Sequence, residues 1–300
     1  MRQVAVVTTG FFDGVHLGHR HVLETLVSSA RERGEEALVV TFWPHPRAVL
    51  QQDARDFRLL TSLEEKKALL LGLGIDRVEV IPFTRSFAAM TAEQYLRLLK
   101  QRYGASLAVM GYDNRIGSDR KTSLELASGT ELPVFVPGPA VLAPSGTEMP
   151  DFVPGQAVSS TLIRKALSLG DIPAANAMLG YGYGLLGVVV AGNRLGRTIG
   201  FPTANMQLYE PLKLVPGNGV YAVEVEVLGR KYRGMTNIGT RPTVGGTSRT
   251  IETHILDFDQ DIYGLPLEIR FLRRIRSEIH FPSLDAFRTQ LEKDRETARF

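Results

Sequence analysis

The chain has 300 residues, 44% of them hydrophobic and 22% charged, with a net charge of +3 and no cysteine. This is the composition of a globular protein with a substantial core, arranged as one large domain or two ordinary ones. It excludes disulfides, zinc–thiolate centres and thiol catalysis, and it gives no electrostatic case for a nucleic-acid partner. No stretch reaches the roughly 18 uninterrupted apolar residues of a membrane span, and no secretion signal is visible, so no membrane partner and a cytoplasmic location are expected.

From residue 1 to about 182, short apolar runs alternate with helical patterns. Strands are predicted at Val4–Thr8, Ala37–Phe42, Arg77–Pro82, Leu107–Gly111 and Pro133–Val136. Helices are predicted at His19–Arg33, Leu63–Leu73, Ala92–Tyr103 and Ser160–Leu169. Apolar strands separated by helices indicate a parallel sheet covered on both faces, an α/β arrangement. Ligands of such sheets gather at the carboxyl ends of the strands. Pro137–Pro154 reads as a long loop.

The segment Gly10-Phe11-Phe12-Asp13-Gly14-Val15-His16-Leu17-Gly18-His19 lies at one such end. It joins the first strand to the first helix, and a helix start offers unpaired N–H groups and a positive dipole end to phosphate. Gly10, Gly14 and Gly18 allow close backbone approach. His16 and His19 can donate to phosphate oxygens and stabilise a charged transition state. Farther on, Val158-Ser159-Ser160-Thr161-Leu162-Ile163-Arg164 opens another helix, with Ser159 or Ser160 suited to cap it and Arg164 suited to an anion.

From about residue 183 the period changes to two. Tyr221–Val227, Ile251–Ile255 and Leu267–Phe271 alternate, with turns at Ala191-Gly192-Asn193, Leu228-Gly229-Arg230 and Tyr263-Gly264. Short alternating strands predict a small antiparallel barrel or sandwich. Leu284, Phe287 and Leu291 form the stripe of a final helix. The expected domains are therefore 1–182 and 183–300. Gly182-x-Gly184-x-x-Gly187 matches a dinucleotide fingerprint but is rejected, because a helix precedes it and a strand follows. Gly192–Thr198 lacks both the spacing and the lysine of a P-loop. Gly196–Asn205 reads as a shaped loop in which Thr203 and Asn205 supply oxygen ligands suited to magnesium shared with phosphates. Glu252, opposite Ile251 and Ile255 and facing a barrel mouth, is placed to accept a proton from a hydroxyl.

These residues closely resemble the bacterial bifunctional riboflavin kinase/FAD synthetases. The first half carries Gly10–His19, Thr41-Phe42-Trp43-Pro44-His45-Pro46, Gly111–Gly117 and Ser159–Arg164. The second carries Gly200-Phe201-Pro202-Thr203-Ala204-Asn205, Gly219-Val220-Tyr221, Asn237–Pro242 and Glu252–Phe258. The resemblance implies a Rossmann-like nucleotidyltransferase domain followed by a six-stranded antiparallel barrel with a C-terminal helix. It implies phosphorylation of riboflavin by ATP to FMN, then adenylylation of FMN by a second ATP to FAD with release of pyrophosphate. In that reading His16, His19 and Glu252 are catalytic. Gly10, Phe11, Asp13, Gly18, Ser160, Thr161, Arg164 and Gly200 bind ATP or its phosphates. Asp113 and Asn114 lie at the flavin or nucleotide, and Thr203 and Asn205 hold Mg²⁺. Trp43, Asn114 and Ile116 depart from residues frequent in the family. The rivals are a flavin-sensing regulator without turnover and an adenylyltransferase of another small phosphate. The intact histidines and Glu252 speak against the first, and the Pro-Thr-Ala-Asn loop against the second.

Overall fold

The computed structural model describes residues 4–50, 57–138, 158–192, 196, 199–243 and 246–299, without the side chains of 241–248. Most of the Pro137–Pro154 loop, Asn193 of the expected turn, and Arg197 and Thr198 lie outside the described residues. The chain forms two compact units, 1–160 and 161–300.

In the first unit, β1 (Ala5–Thr9) leads into α1 (Leu17–Arg33), and β2 (Glu36–Trp43) into α2 (Pro46–Leu50) and α3 (Leu63–Gly72). Next come β3 (Arg77–Pro82), α4 (Arg85–Ala88), α5 (Ala92–Tyr103) and β4 (Ala105–Val109). The hairpin β5 (Arg115–Ile116) and β6 (Lys121–Thr122), then α6 (Ser123–Ala127) and β7 (Val134–Phe135), complete the unit. The main sheet runs β3-β2-β1-β4-β7, all neighbours parallel. Every residue of β1 is buried because its alternate side chains feed two cores. Ala5 and Val7 join Leu38 and Val40 on one face, while Val6 joins Ala37, Val39 and Leu23 on the other. β1 is therefore central, and the order reverses beside it. The crevice outside the carboxyl ends of β1 and β4 is the switch point at which open α/β sheets bind ligands.

The second unit begins with α7 (Ser160–Leu169), whose first residue belongs to the first unit, and α8 (Ile172–Leu179). Then follow β8 (Gly184–Val190), β9 (Ala204–Leu208), β10 (Gly219–Val227), β11 (Arg230–Thr243), β12 (Gly246–Ile255), β13 (Pro266–Arg276) and α9 (Leu284–Arg299). The six strands close into a barrel in the order β10-β11-β12-β9-β8-β13. Tyr221, Val223, Val225 and Val227 are buried, while Glu226 of the same strand is exposed. The rejected fingerprint glycines prove to be close-packing residues. A Cβ on Gly184 would lie 2.9 Å from the Ile269 carbonyl oxygen, and one on Gly187 2.2 Å from that of Gln207. α8 was absent from the sequence expectation, and it is tied to the barrel. The Asn176 amide donates to the Phe271 carbonyl (3.0 Å) and accepts from the Tyr183 N–H (2.8 Å). The units thus divide upstream of residue 183, where the periodicity changes.

Candidate active sites

The loop between β1 and α1 has an unusual backbone. Phe12 and Val15 adopt positive φ (48° and 38°) on either side of Gly14 (83°). A β-branched residue rarely tolerates this conformation, and such strain persists only where surroundings impose it. Both side chains are buried in the α1 face of the sheet. The Asp13 carboxylate accepts the N–H groups of Leu60 (3.0 Å) and Thr61 (3.1 Å) and the Thr61 hydroxyl (3.3 Å). The Gly14 N–H donates to the same hydroxyl (3.1 Å). The Lys66 ammonium donates to the Phe11 carbonyl (3.0 Å), and the Ser160 hydroxyl to the Asp13 carbonyl (3.0 Å). So the Asp13 carboxylate, expected among the phosphate-binding groups, braces the loop. Ser160 touches that loop as the first residue of α7 and does not cap it.

His16 is the N-cap of α1, with extended backbone, and its carbonyl accepts the N–H groups of His19 (2.8 Å) and Arg20 (3.0 Å). The His16 and His19 rings stack with centroids 3.6 Å apart and planes 19° apart, and Phe12 meets the His19 ring edge-on. Gly18 makes this possible, since a Cβ there would lie 3.3 Å from the His16 ring and 3.2 Å from the Val158 carbonyl oxygen. Burial, then His16, then Lys66 hold the His19 pKa well below that of an ordinary imidazole. A neutral ring can still donate one N–H to an oxyanion.

Across the switch point, Asn114 follows β4 and its amide reaches the Thr9 carbonyl at the end of β1 (3.4 Å). Asp113 beside it is exposed. Phe11 packs against Phe42 (5.0 Å), His45 (4.8 Å) and Phe83 (5.7 Å), an aromatic wall next to the loop. Gly10 packs under the Phe12 ring. Thr161 is exposed and Arg164 half-buried on α7, which is counted with the second unit.

In the barrel the site is built by register. Glu252 of β12 pairs with Asn205 of β9 on one side and Asn237 of β11 on the other. Directly opposed residues project on the same face, so a carboxylate stands between two amides. Ile251, Thr253 and Ile255 are buried on the other face. Glu252 therefore projects from the opposite face, as its alternation with Ile251 and Ile255 predicts. With Thr203, Asn205 and Asn237 it lines a cavity of about 620 Å³ whose apolar wall includes Phe281, Leu284, Phe287 and Leu291 of the C-terminal segment. Thr203 also lines a second cavity, of about 360 Å³, with Thr253, Ile255 and Phe258. It stands where the two meet. The loop was expected to run to Asn205, but Ala204 and Asn205 are already strand. Gly192 leaves room for the Asn205 amide, as a Cβ there would lie 2.1 Å from its nitrogen. His254, two residues beyond Glu252, bonds through Nδ1 to the Pro202 carbonyl (2.8 Å), and burial lowers its pKa. Exposed Gly200 takes a positive φ (84°) in the turn closed by the Phe201 N–H on the Gly196 carbonyl.

Asn237, Thr61 and Lys66 are the residues that sequence reasoning missed. Asn237 lay within a quoted motif, and only the pairing register gives it a neighbour. Thr61 and Lys66 touch the loop across long sequence separations, and no local pattern marks them.

Thr203 and Asn205 offer hard neutral oxygens beside the Glu252 carboxylate, a donor set that fits a magnesium ion sharing its remaining positions with phosphate and water. Among the described residues, no three His, Cys, Asp or Glu side chains group as a metal cage.

Two family models match the chain: riboflavin kinase over residues 179–300 and FAD synthetase over 1–132. The bifunctional riboflavin kinase/FMN adenylyltransferase of Bacillus subtilis is 37% identical over 297 residues, covering 98% of this chain and 91% of the relative. That of Escherichia coli K12 is 38% identical over 298 residues, with the same coverage. A crystal structure named as a macrolide-efflux protein from Streptococcus pneumoniae superposes with a TM-score of 0.89 at 33% identity, covering 100% of this chain and 95% of that one. Among the described residues, no helix here is long and apolar enough to cross a membrane. The chain belongs to the bifunctional riboflavin kinase/FMN adenylyltransferase family.

Proposed function

We infer that this protein phosphorylates riboflavin to FMN and adenylylates FMN to FAD, each time at the expense of ATP. The observation that carries the reading is the row Asn205–Glu252–Asn237, opening with Thr203 into one cavity with an apolar wall. A flat apolar ring with a polyhydroxy tail suits that cavity, and the carboxylate suits the tail's terminal hydroxyl. In the kinase step the hydroxyl oxygen attacks the γ-phosphorus, its proton passes to Glu252, and the bond to the β-phosphate oxygen breaks to leave ADP. Thr203 and Asn205 would hold Mg²⁺, which supplies charge neutralisation at the phosphates.

In the adenylyl step the FMN phosphate is already a nucleophile and needs no base. Its oxygen attacks the α-phosphorus of ATP, and pyrophosphate leaves with the bonding electrons. His16 and His19 donate to the oxygens on which charge develops, and Gly10, Phe11 and Gly18 give close passage to the phosphates. Ser160, Thr161 and Arg164 are assigned to the β- and γ-phosphates, Gly200 to ATP at the kinase site, and Asp113 and Asn114 to the flavin or nucleotide. These roles rest on the resemblance of their segments. Asp13 acts by holding the loop.

We divide the work at residue 183, with adenylyl transfer before it and the kinase from 183 to 300. ATP as the common substrate argues for a cytoplasmic enzyme with small-molecule partners. The test is incubation with riboflavin, ATP and Mg²⁺ followed by separation of the flavins. FMN and FAD are both expected. FMN alone would remove the adenylyltransferase, and unchanged riboflavin would remove the kinase.

A further inference from the structure

Lys66 is a lysine in a place that packing alone would give to an apolar residue. It is 5% exposed on α3, one turn before the fully buried Leu70. Withdrawing an ammonium from water is costly unless the charge is used. Its charge is attracted by the Asp13 carboxylate and has two further outlets. It bonds to the Phe11 carbonyl at 3.0 Å, within the loop whose strained backbone carries the histidines. It also acts on His19 of the stacked pair, where, after burial and His16, it disfavours a proton on the ring. The groups facing Lys66 are Asp13 and His19, and those facing His19 are His16 and Lys66.

We propose that Lys66 is a positioning residue for adenylyl transfer, fixing the phosphate loop through the Phe11 carbonyl and acting on the His19 imidazole through space. This rests on the adenylyltransferase reading. Burial, then His16, then Lys66 keep the His19 ring neutral, so it need not lose a proton before it can donate an N–H to the incoming triphosphate. The loop is held at the residue that begins the aromatic wall, so one ammonium holds the backbone and adds to the field that keeps His19 neutral.

Burial brings the Lys66 pKa down to about 8, which makes the proposal testable. The pH dependence of kcat/KM for FAD formation reports groups of the free enzyme. In the full-length wild type it should fall above about pH 8, as Lys66 loses its proton and its charge-assisted bond to the Phe11 carbonyl becomes an ordinary, weaker one. Lys66→Arg should lack that limb, because a guanidinium does not titrate there. Lys66→Met should lose up to about 10²-fold at all pH values, the scale of a displaced reacting group. Nitrogen NMR of the His19 ring in the ligand-free protein gives a second readout. The imidazole should titrate at higher pH in Lys66→Met and not in Lys66→Arg. FMN formation from riboflavin in the same preparations should stay constant and reports the second unit, and denaturant unfolding of each variant reports the folding of the first. A basic limb that persists in Lys66→Arg, or identical His19 titration in wild type and Lys66→Met, would overturn the proposal. The NMR readout needs no turnover. Failure of the adenylyltransferase reading would show separately, as absence of FAD with the wild type.

Discussion

In the parallel-sheet unit the reactive side chains, His16 and His19, sit at the start of α1, after a loop whose shape is imposed from 47 residues away, through Leu60 and Thr61 on Asp13 and Gly14. In the barrel they sit on neighbouring strands and are aligned by pairing register, Asn205 to Glu252 to Asn237. The first arrangement places two imidazoles 3.6 Å apart at a helix start, and the loop before them is braced by buried polar groups. The second needs no brace, because the backbone ladder that stabilises the barrel also aligns the site. It follows that the loop site is open to damage at a distance, while the register site is damaged chiefly by replacing the side chains themselves.

The largest effect is expected at the register site. Glu252→Gln keeps the shape and the strand but removes the base, so FMN formation should fall about 10²–10⁴-fold, toward the lower end if the transition state is loose. FAD formation from supplied FMN should be spared. Single-turnover FMN formation at saturating ATP and Mg²⁺ measures the first, and a FAD assay on the same preparation the second. A wild-type rate of FMN formation would return Glu252 to the solvent-facing residues of its strand. Next is His19→Ala, which removes one donor at the developing charge and should cost FAD formation about 10²–10³-fold, with FMN formation nearly intact. Equal loss of both activities would mean that the two sites are not independent.

What could be read in the sequence follows the same divide. β1, β2 and β3 are legible because strands buried on both faces show as continuous apolar runs, and Tyr221–Val227 because a half-covered strand alternates. Thr203, Asn205 and Glu252 are legible because few side chains suit their chemistry. Lys66 is not legible. In Leu63-Glu64-Glu65-Lys66-Lys67-Ala68 it reads as one more solvated charge, and only the packing of α3 reveals its burial. α8 is not legible either, since Ile172–Leu179 has five buried positions and little polar face to mark a period. Asp13 shows the same limit. The resemblance placed it at phosphate, while its three donors at residues 60 and 61, far off in sequence, make it a brace that no local pattern marks.

That brace gives a smaller, sharper test of the comparison. Asp13→Asn removes the charge that accepts the two backbone N–H groups and turns an amide donor toward at least one of them. Leaving a buried donor unsatisfied costs about 1–3 kcal/mol, and the loss should appear in denaturant unfolding and in FAD formation. FMN formation should be unaffected. Undiminished FAD formation in a measurably destabilised Asp13→Asn protein would mean that the loop keeps its shape without its brace.

The smallest expected effect isolates the comparison best, because the same lesion can be made in both units. α3 starts with a capping box: the Ser62 hydroxyl accepts the Glu65 N–H (3.1 Å), and the Glu65 carboxylate accepts the Ser62 N–H (2.7 Å). α8 starts on Asp171, whose carboxylate accepts the Ala174 N–H (3.1 Å). Removing either cap by alanine typically costs about 1 kcal/mol. In the first unit that loss falls on the helix start flanked by Leu60 and Thr61 on one side and Lys66 on the other, the three residues that hold Asp13, Gly14 and Phe11. Fraying there loosens the loop, and a loss of about 1 kcal/mol in its ordered state corresponds to about fivefold in population. Ser62→Ala should therefore lower FAD formation by at most about fivefold. In the second unit the same loss falls on a helix that packs on the barrel, while Glu252 stays in register with Asn205 and Asn237. Asp171→Ala should shift the unfolding midpoint by a similar amount and leave FMN formation unchanged. A fall in FMN formation with Asp171→Ala as large as the fall in FAD formation with Ser62→Ala would show that the barrel site depends on remote bracing as much as the loop site does.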